Sequence, residues 1–367
     1  MMAERDPAGQ GPLPVKPAFW RGKRVLLSGH TGFKGGWLAL WLHRMGANVS
    51  GLALAPDTTP SLYDLARISE LVPGGIADLR DEARVTAIVA ATRPEIVLHL
   101  AAQPLVGRSV HEPRATFAAN VMGTVNLLEA IRESDVKPQA VLVVTTDKVY
   151  ENPETGAAFV ESDPLGGHDP YSASKAATEI VVASYARTYF ARAGVPVATA
   201  RGGNVIGGGD FSGDRIVPDV VRAMLAGKPV VLRNPHATRP WQHVLDCLAG
   251  YLAYTEALAG GDSGSSVPLA LNFGPDPTQP LAVAALVDAL QAALGARTGW
   301  RAHDGEKPHE MQALALDSSR ARHLLGWHDR LLGTAALDAT ASWYQAWRQG
   351  QDARSITLRE IDGYMNS

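Results

Sequence analysis

One cysteine, Cys247, stands among 367 residues. A lone thiol excludes an intramolecular disulfide framework and a multi-cysteine zinc site, and it suits a reducing compartment. An excess of either charge is missing too: 34 Lys and Arg against 37 Asp and Glu leave a formal net charge of −3. With no basic run besides, nothing offers the electrostatic footprint that nucleic acid requires, so an anionic ligand must be held by local groups. No run of about 18 apolar residues occurs, and no membrane span is expected. The opening stretch MMAERDPAGQGPLPVKP has charges but no apolar core. It reads as a disordered tail over residues 1–18 rather than a signal peptide, with the cytoplasm as the expected location. Internal repeats are absent, as are histidines and carboxylates grouped at ligand spacing, so no metal is expected.

What is present is alternation. Short apolar runs such as KRVLLSG, NVSGLAL, EIVLHLAA, QAVLVVTT and PVATARGG are separated by longer segments with helical spacing of apolar residues. Strands apolar throughout, joined by helices, predict an α/β fold: a doubly wound parallel sheet of the Rossmann kind, buried on both faces. This regularity covers residues 19–205. Beyond Asn204, glycines and prolines cluster in NVIGGGDFSGD and RNPHATRPWQHV. Residues 206–239 and 274–360 are therefore expected to form a smaller C-terminal substrate-binding region, with parts of 240–273 completing the Rossmann domain.

The first strand runs into SGHTGFKGG, a G-x-x-G-x-x-G spacing that opens a helix. Glycine permits the sharp turn and the close approach of phosphates, and the helix start offers N–H groups and a positive dipole end to a pyrophosphate. Gly29, Thr31, Gly32, Phe33 and Gly35 are the expected dinucleotide contacts. They are joined by Asp78 and Leu79 after the third strand and by Ala101 and Ala102 after the fourth. Asp78 reads equally as an acceptor for the adenine amino group or as a solvated helix cap. Only Asp57 follows the second strand, and no arginine stands there to meet a 2′-phosphate, which favours NAD over NADP.

Further along, YSASK places Tyr171 and Lys175 on one helical face after Asp169 and Pro170. An ammonium beside a phenol favours the phenolate, giving a base fit to remove a hydroxyl proton while hydride leaves the same carbon. His99, inside an apolar strand, reads as a satisfied core histidine. VVTTDKVYEN, by contrast, ends a buried run on Thr146, Asp147 and Lys148, a carboxylate and an amine side by side at the sheet edge.

Taken together with GHTGFKGGWLALWL, AAQPLV, NVMGTVNLLEAIR, TTDKVYEN, DPYSASK, GNVIGGGD and NPHATRPWQHV, these motifs resemble the extended short-chain dehydrogenase/reductase family from Phe19 onward. Within it they are most similar to the nucleotide-sugar 4,6-dehydratases of the branch acting on CDP-glucose. The resemblance implies bound NAD, a nucleotide-diphosphate sugar as substrate, a hydro-lyase of deoxysugar synthesis, and a homodimer formed through the helices at 113–133 and 169–193. It also implies roles. Tyr171 takes the 4-hydroxyl proton, Lys175 supports it, and Thr146 bonds the 4-oxygen. Asp147 protonates the departing 6-hydroxyl.

Lys148 stands where related dehydratases carry glutamate. It acts as the carbon 5 base only if its proton affinity is lowered; otherwise it stabilises the enolate while water or Glu151 is the base. For the diphosphate the expected ligands are Arg239 first, then Arg215 and Arg233, with Asn204, His309 and Glu310 near phosphate or sugar. Trp241 either stacks or packs. The chain departs from the branch pattern at Thr145, Val149 and Gly202. An epimerase or decarboxylase would keep the glycine loop and Tyr171/Lys175 but would not need an acid for a leaving 6-hydroxyl. A non-catalytic NAD sensor would not need Thr146, Tyr171 and Lys175 together.

Overall fold

The computed structural model describes residues 13–260, 267–276, 281–296, 298–303 and 314–367. Seven strands form one parallel sheet: β1 (Arg24–Ser28), β2 (Asn48–Ala53), β3 (Gly74–Ile76), β4 (Ile96–His99), β5 (Ala140–Thr146), β6 (Val197–Gly202) and β7 (Ala270–Phe273). Their order is β7-β6-β5-β4-β1-β2-β3, so the chain reverses direction across the sheet between β1 and β4. That reversal opens a crevice at the carboxyl ends of the strands, where ligands bind in such sheets.

Burial on both faces shows in the period-two division of the core. Val25, Leu27, Ile96, Leu98, Leu142 and Val144 belong to one apolar cluster, and Leu26, Val97, Val141 and Val143 to another. The first cluster is covered by α1 (Phe33–Arg44), through Trp37, Leu40 and Trp41, and by α5 (Val244–Gly260), through Leu248, Tyr251 and Leu252. Opposite lie α2 (Glu82–Thr92), α3 (Gly123–Glu133) and α4 (Pro170–Tyr185), which bury Val85, Ile131 and Val182. β7 adds the last strand from residues 270–273.

Three details differ from the sequence expectation. The described part of the expected tail, residues 13–18, is packed: Val15 is buried, and the Lys16 and Trp20 N–H groups donate to Glu256 at 2.9 and 2.6 Å. The helices expected to run unbroken through 113–133 and 169–193 each contain a wide π-helical turn, at Ala118–Met122 and Ala186–Phe190. A final helix, Ala353–Asn366, extends the described chain beyond the elements anticipated. The C-terminal region contributes only short pairings: Asn204–Ile206 with Trp241–His243, Thr238–Arg239 with Leu281–Ala282, and Val230–Leu232 with Trp300–Ala302. Among the described residues no helix is long and apolar enough to cross a membrane.

Candidate active site

The glycine loop joins β1 to α1 at the crevice. Gly29 has φ +79°, and a Cβ there would lie 2.7 Å from the Ala101 nitrogen. A Cβ on Gly35 would lie 2.0 Å from the Gly29 carbonyl oxygen. Only glycine fits either place, so loop and helix start are drawn tightly together. No side chain caps α1 at Gly32, which leaves the helix start available to an anion. Phe33 is buried beneath the loop, and the Thr31 hydroxyl donates to the Leu54 carbonyl, tying the loop to the end of β2. These features fit a dinucleotide pyrophosphate.

Asp78 is not the helix cap, which is Asp81. The Asp78 carboxylate is held by the Arg80 side chain at 2.5 Å and accepts the Arg80 backbone N–H, which keeps its proton affinity low. Leu79 is buried, and its carbonyl accepts from Asn126. Asp57 is exposed beyond β2.

Ala101 and Ala102 follow β4, and the backbone there is fixed by a chain of hydrogen bonds. The Ala101 N–H donates to the Ser28 hydroxyl, which lies 2.6 Å from His99 Nδ1, and His99 Nε2 lies 3.0 Å from the Thr124 hydroxyl. Thr124 in turn donates to the Asn120 carbonyl. This order requires Nε2 to carry the proton, and burial keeps the ring neutral, its pKa down to about 3. His99 is a satisfied core histidine that holds the loop after β4 against the glycine turn.

The end of β5 delivers the polar turn. Thr146 and Asp147 are buried, and the Thr146 hydroxyl donates to Asp147 Oδ1 at 2.9 Å. Lys148 Nζ is 3.3 Å from the same oxygen, and its side chain is 22% exposed. Asp147 Oδ2 has no partner although it is fully buried. An unsatisfied carboxylate oxygen at the crevice is an acceptor, or an acid, waiting for a group from outside the chain.

Tyr171 is brought to this turn by α4. Asp169 caps the helix through the Ser172 N–H and Pro170 occupies its first position, as the sequence signals. Burial pushes the Tyr171 phenol up to about 12; the Thr146 hydroxyl beside it and the charge of Arg215 oppose that rise. Lys175 is buried, with its ammonium donating to the Val144 carbonyl at 2.9 Å. Burial first and the Lys34 charge second bring its pKa down to about 7. Lys175 is turned to the β5 backbone, and burial is the largest influence on the phenol.

A residue that motif reading did not single out clamps this helix. Asn120, in the wide turn at 118–122, accepts from the Gln103 N–H and donates to the Gln103 carbonyl and to Ser174. Ser174 donates to the Tyr171 carbonyl. The loop after β4 and the first turn of α4 are thus held in register. The π turn, which often marks functional positions, is the local signal.

Among the expected substrate groups, Arg215 is closest to the reacting cluster, since its charge is felt by both Tyr171 and Lys34, and it pairs with Asp210 at 3.3 Å. Arg233 lies 3.9 Å from Asp214, next in sequence to Arg215. Arg239 donates to the Thr238 carbonyl on its short strand. Asn204 begins the strand paired to Trp241, whose indole N–H donates to the Leu281 carbonyl and so packs. Glu151 is exposed and lies 3.1 Å from His168. His309 and Glu310 lie outside the described residues. Gly202 is explained by its neighbour: a Cβ there would lie 2.3 Å from the Tyr251 hydroxyl. Among the described residues no cluster of metal-ligating side chains occurs.

The sequence profile of the NAD dependent epimerase/dehydratase family matches residues 25–270. A CDP-glucose 4,6-dehydratase of Salmonella typhimurium is 42% identical over 95% of this chain and 98% of its own length. A dTDP-glucose 4,6-dehydratase of Xanthomonas campestris pv. campestris is 31% identical over 92% of this chain and 98% of its own. The solved dTDP-glucose 4,6-dehydratase from Streptomyces venezuelae, with NAD bound, has a TM-score of 0.75 at 25% identity, covering 90% of this chain and 99% of that one. The matched stretch contains the glycine loop, the turn after β5 and the Tyr171–Lys175 helix, and the chain belongs to the NAD dependent epimerase/dehydratase family.

Proposed function

We propose that this protein is a CDP-D-glucose 4,6-dehydratase, a hydro-lyase that converts CDP-D-glucose to CDP-4-keto-6-deoxy-D-glucose for deoxysugar synthesis. The observation that carries the reading is the Thr146–Asp147–Lys148 turn beside Tyr171, with a buried carboxylate oxygen left unpartnered. An epimerase has no use for that acid, because its substrate loses no hydroxyl.

Bound NAD supplies the hydride acceptor for carbon 4 and the donor for carbon 6. Tyr171 removes the 4-hydroxyl proton, and Thr146 donates a hydrogen bond to the 4-oxygen as charge develops there. Lys175 stands behind Tyr171 as its ionic support. Asp147 gives a proton to the departing 6-hydroxyl, and Lys148 takes the carbon 5 proton. Glu151, engaged with His168, is the weaker base of the two. Lys148 returns a proton to carbon 5 as hydride reaches carbon 6, and the proton gained by Tyr171 and the one lost by Asp147 are restored through solvent before the next turnover.

Gly29, Thr31, Gly32, Phe33 and Gly35 hold the pyrophosphate of the cofactor, with Leu79, Ala101 and Ala102 lining its path. Asp78, fixed by Arg80, offers its remaining acceptor capacity to the adenine side. Asn204, at the end of the Rossmann part, and Arg215, Arg233, Arg239 and His309, from 206–239 and 274–360, serve the nucleotide sugar. A cytoplasmic homodimer is the expected state. Ile180 and Tyr189 from α4 and its extension, with Phe117 and Met122 before α3, are exposed apolar side chains suited to a helix–helix contact.

Incubation of the purified protein with CDP-glucose and no added reductant tests the reading. A 4-keto product formed without net NADH is expected. Turnover of dTDP- or GDP-sugars in place of CDP-glucose would overturn the substrate assignment.

A further inference from the structure

Residues 207–215 link the short strand Asn204–Ile206 to the helix Ile216–Leu225 and form neither strand nor helix themselves. Both ends of this segment are nevertheless tied to the crevice. A Cβ on Gly207 would lie 3.1 Å from the Phe33 ring of the glycine loop, and the Gly208 carbonyl accepts the Trp37 indole N–H of α1 at 2.9 Å. At the other end, the Asp214 carboxylate lies 3.4 Å from where a Cβ on Gly107 would stand, in the helix Val106–His111 that follows β4. The segment thus reaches from the turn after β1 to the chain after β4, the two strands between which the sheet order reverses. Arg215 is its last residue.

The middle of the segment is fixed as well. Arg222 donates to the Phe211 and Ser212 carbonyls, both at 3.0 Å, and the Tyr344 hydroxyl donates to the Asp210 carbonyl. The Asp210 side chain is buried, with one oxygen accepting the Ser212 N–H at 3.0 Å and the other lying 3.3 Å from Arg215 Nη1. Both oxygens of Asp210 are therefore engaged. Arg215 commits only Nη1, and its Nε and Nη2 groups have no partner among the described residues. That free edge is the one with which a guanidinium grips a phosphate by two parallel hydrogen bonds. Holding so long a side chain in one place costs conformational freedom, and a buried carboxylate on a pinned segment meets that cost before a ligand arrives.

We propose that Asp210 is a positioning residue for substrate binding, which orients Arg215 so that its Nε–Nη2 edge is presented to the diphosphate of the nucleotide sugar. This rests on the reading of Arg215 as a diphosphate ligand. Charge alone argues for the opposite effect: a carboxylate near the site repels a diphosphate, and its removal would tighten binding if orientation counted for nothing. The sign of the change separates the two.

The test is calorimetric titration of the full-length protein with CDP, in the parent, Arg215→Ala, Asp210→Asn and the double variant. Arg215→Ala is expected to weaken CDP binding by roughly 10–150-fold, the range for losing hydrogen bonds to a charged group. Asp210→Asn keeps an acceptor for the Ser212 N–H but turns an amide toward Arg215. It is expected to weaken CDP binding by roughly 2–12-fold, and to raise KM for CDP-glucose by a similar factor with a smaller change in kcat. Added to Arg215→Ala, the same substitution should change CDP binding by no more than about twofold. Asp210→Ser repeats the measurement should the asparagine variant not fold. Unchanged or tighter CDP binding in Asp210→Asn overturns the proposal, as does an equal loss in both backgrounds, the mark of a damaged segment. Undiminished CDP binding in Arg215→Ala contradicts the reading of Arg215 itself, and the proposal falls with it.

Discussion

Two polar clusters flank the carboxyl end of β5, and consecutive residues feed them. Thr145 enters one and Thr146 the other, because alternate residues of a strand point to opposite faces. In the first, the Thr145 hydroxyl donates to Glu179 Oε1, while Thr199 and Arg201 donate to Glu179 Oε2 at 2.8 and 2.7 Å. Arg201 extends the network to Tyr150, which donates to Asn272 on β7. Both oxygens of that buried carboxylate are occupied by the chain itself. In the second, Asp147 has one occupied oxygen and one without a partner among the described residues, and the Tyr171 phenol is raised by burial. A carboxylate with both oxygens filled makes the first cluster a brace across β5, β6 and β7, even though Arg201 Nε is left without a partner; a carboxylate with one oxygen open makes the second receptive to a substrate. A cavity of about 770 Å³ borders Glu179 and Arg201 and includes none of the catalytic turn.

If the two clusters are as different as their hydrogen bonds indicate, substitutions in them separate activity from stability. Asp147→Asn has the larger expected effect: CDP-glucose turnover falls by roughly 10²–10⁴-fold, the range for loss of a general acid. Its unfolding midpoint in urea should not fall, because a desolvated charge is removed. Steady-state kinetics and denaturant unfolding on the same preparation check both halves. Glu179→Ala should reverse the pattern. It leaves Arg201 buried without its anion and is expected to lower the unfolding free energy by roughly 3–5 kcal/mol. Turnover measured well below the new midpoint should fall far less than in Asp147→Asn. Equal losses of stability in the two variants would remove the distinction.

Most of the reaction site was legible in the sequence because its parts are local. A glycine turn, a strand end and two residues four apart on a helix each fix their own geometry within a few residues. The same locality made the succession of strands along the chain readable through β6, and the late strand β7 was recognisable as an apolar run; their order side by side in the sheet was not. What was not legible depends on which strands lie side by side. Ser28 and His99 are 71 residues apart, Thr145 and Glu179 are 34 apart, and Asn120 and Ser174 are 54 apart. None carries a sequence signature of its partner. At Asp78 the helix-cap reading failed because Asp81 takes the cap, while an arginine two residues away closes on the Asp78 carboxylate. On the substrate side, Arg239 sits on a two-residue strand with no periodicity to reveal its neighbours.

The central claim is that the turn after β5 adds elimination to an oxidation whose hydride never leaves the protein. CDP-glucose carrying deuterium at carbon 4 tests it directly. The account predicts that the product carries that deuterium at carbon 6 of the same molecule, with no crossover when labelled and unlabelled substrates are mixed. Deuterium recovered in water, retained at carbon 4, or scrambled between molecules would contradict it.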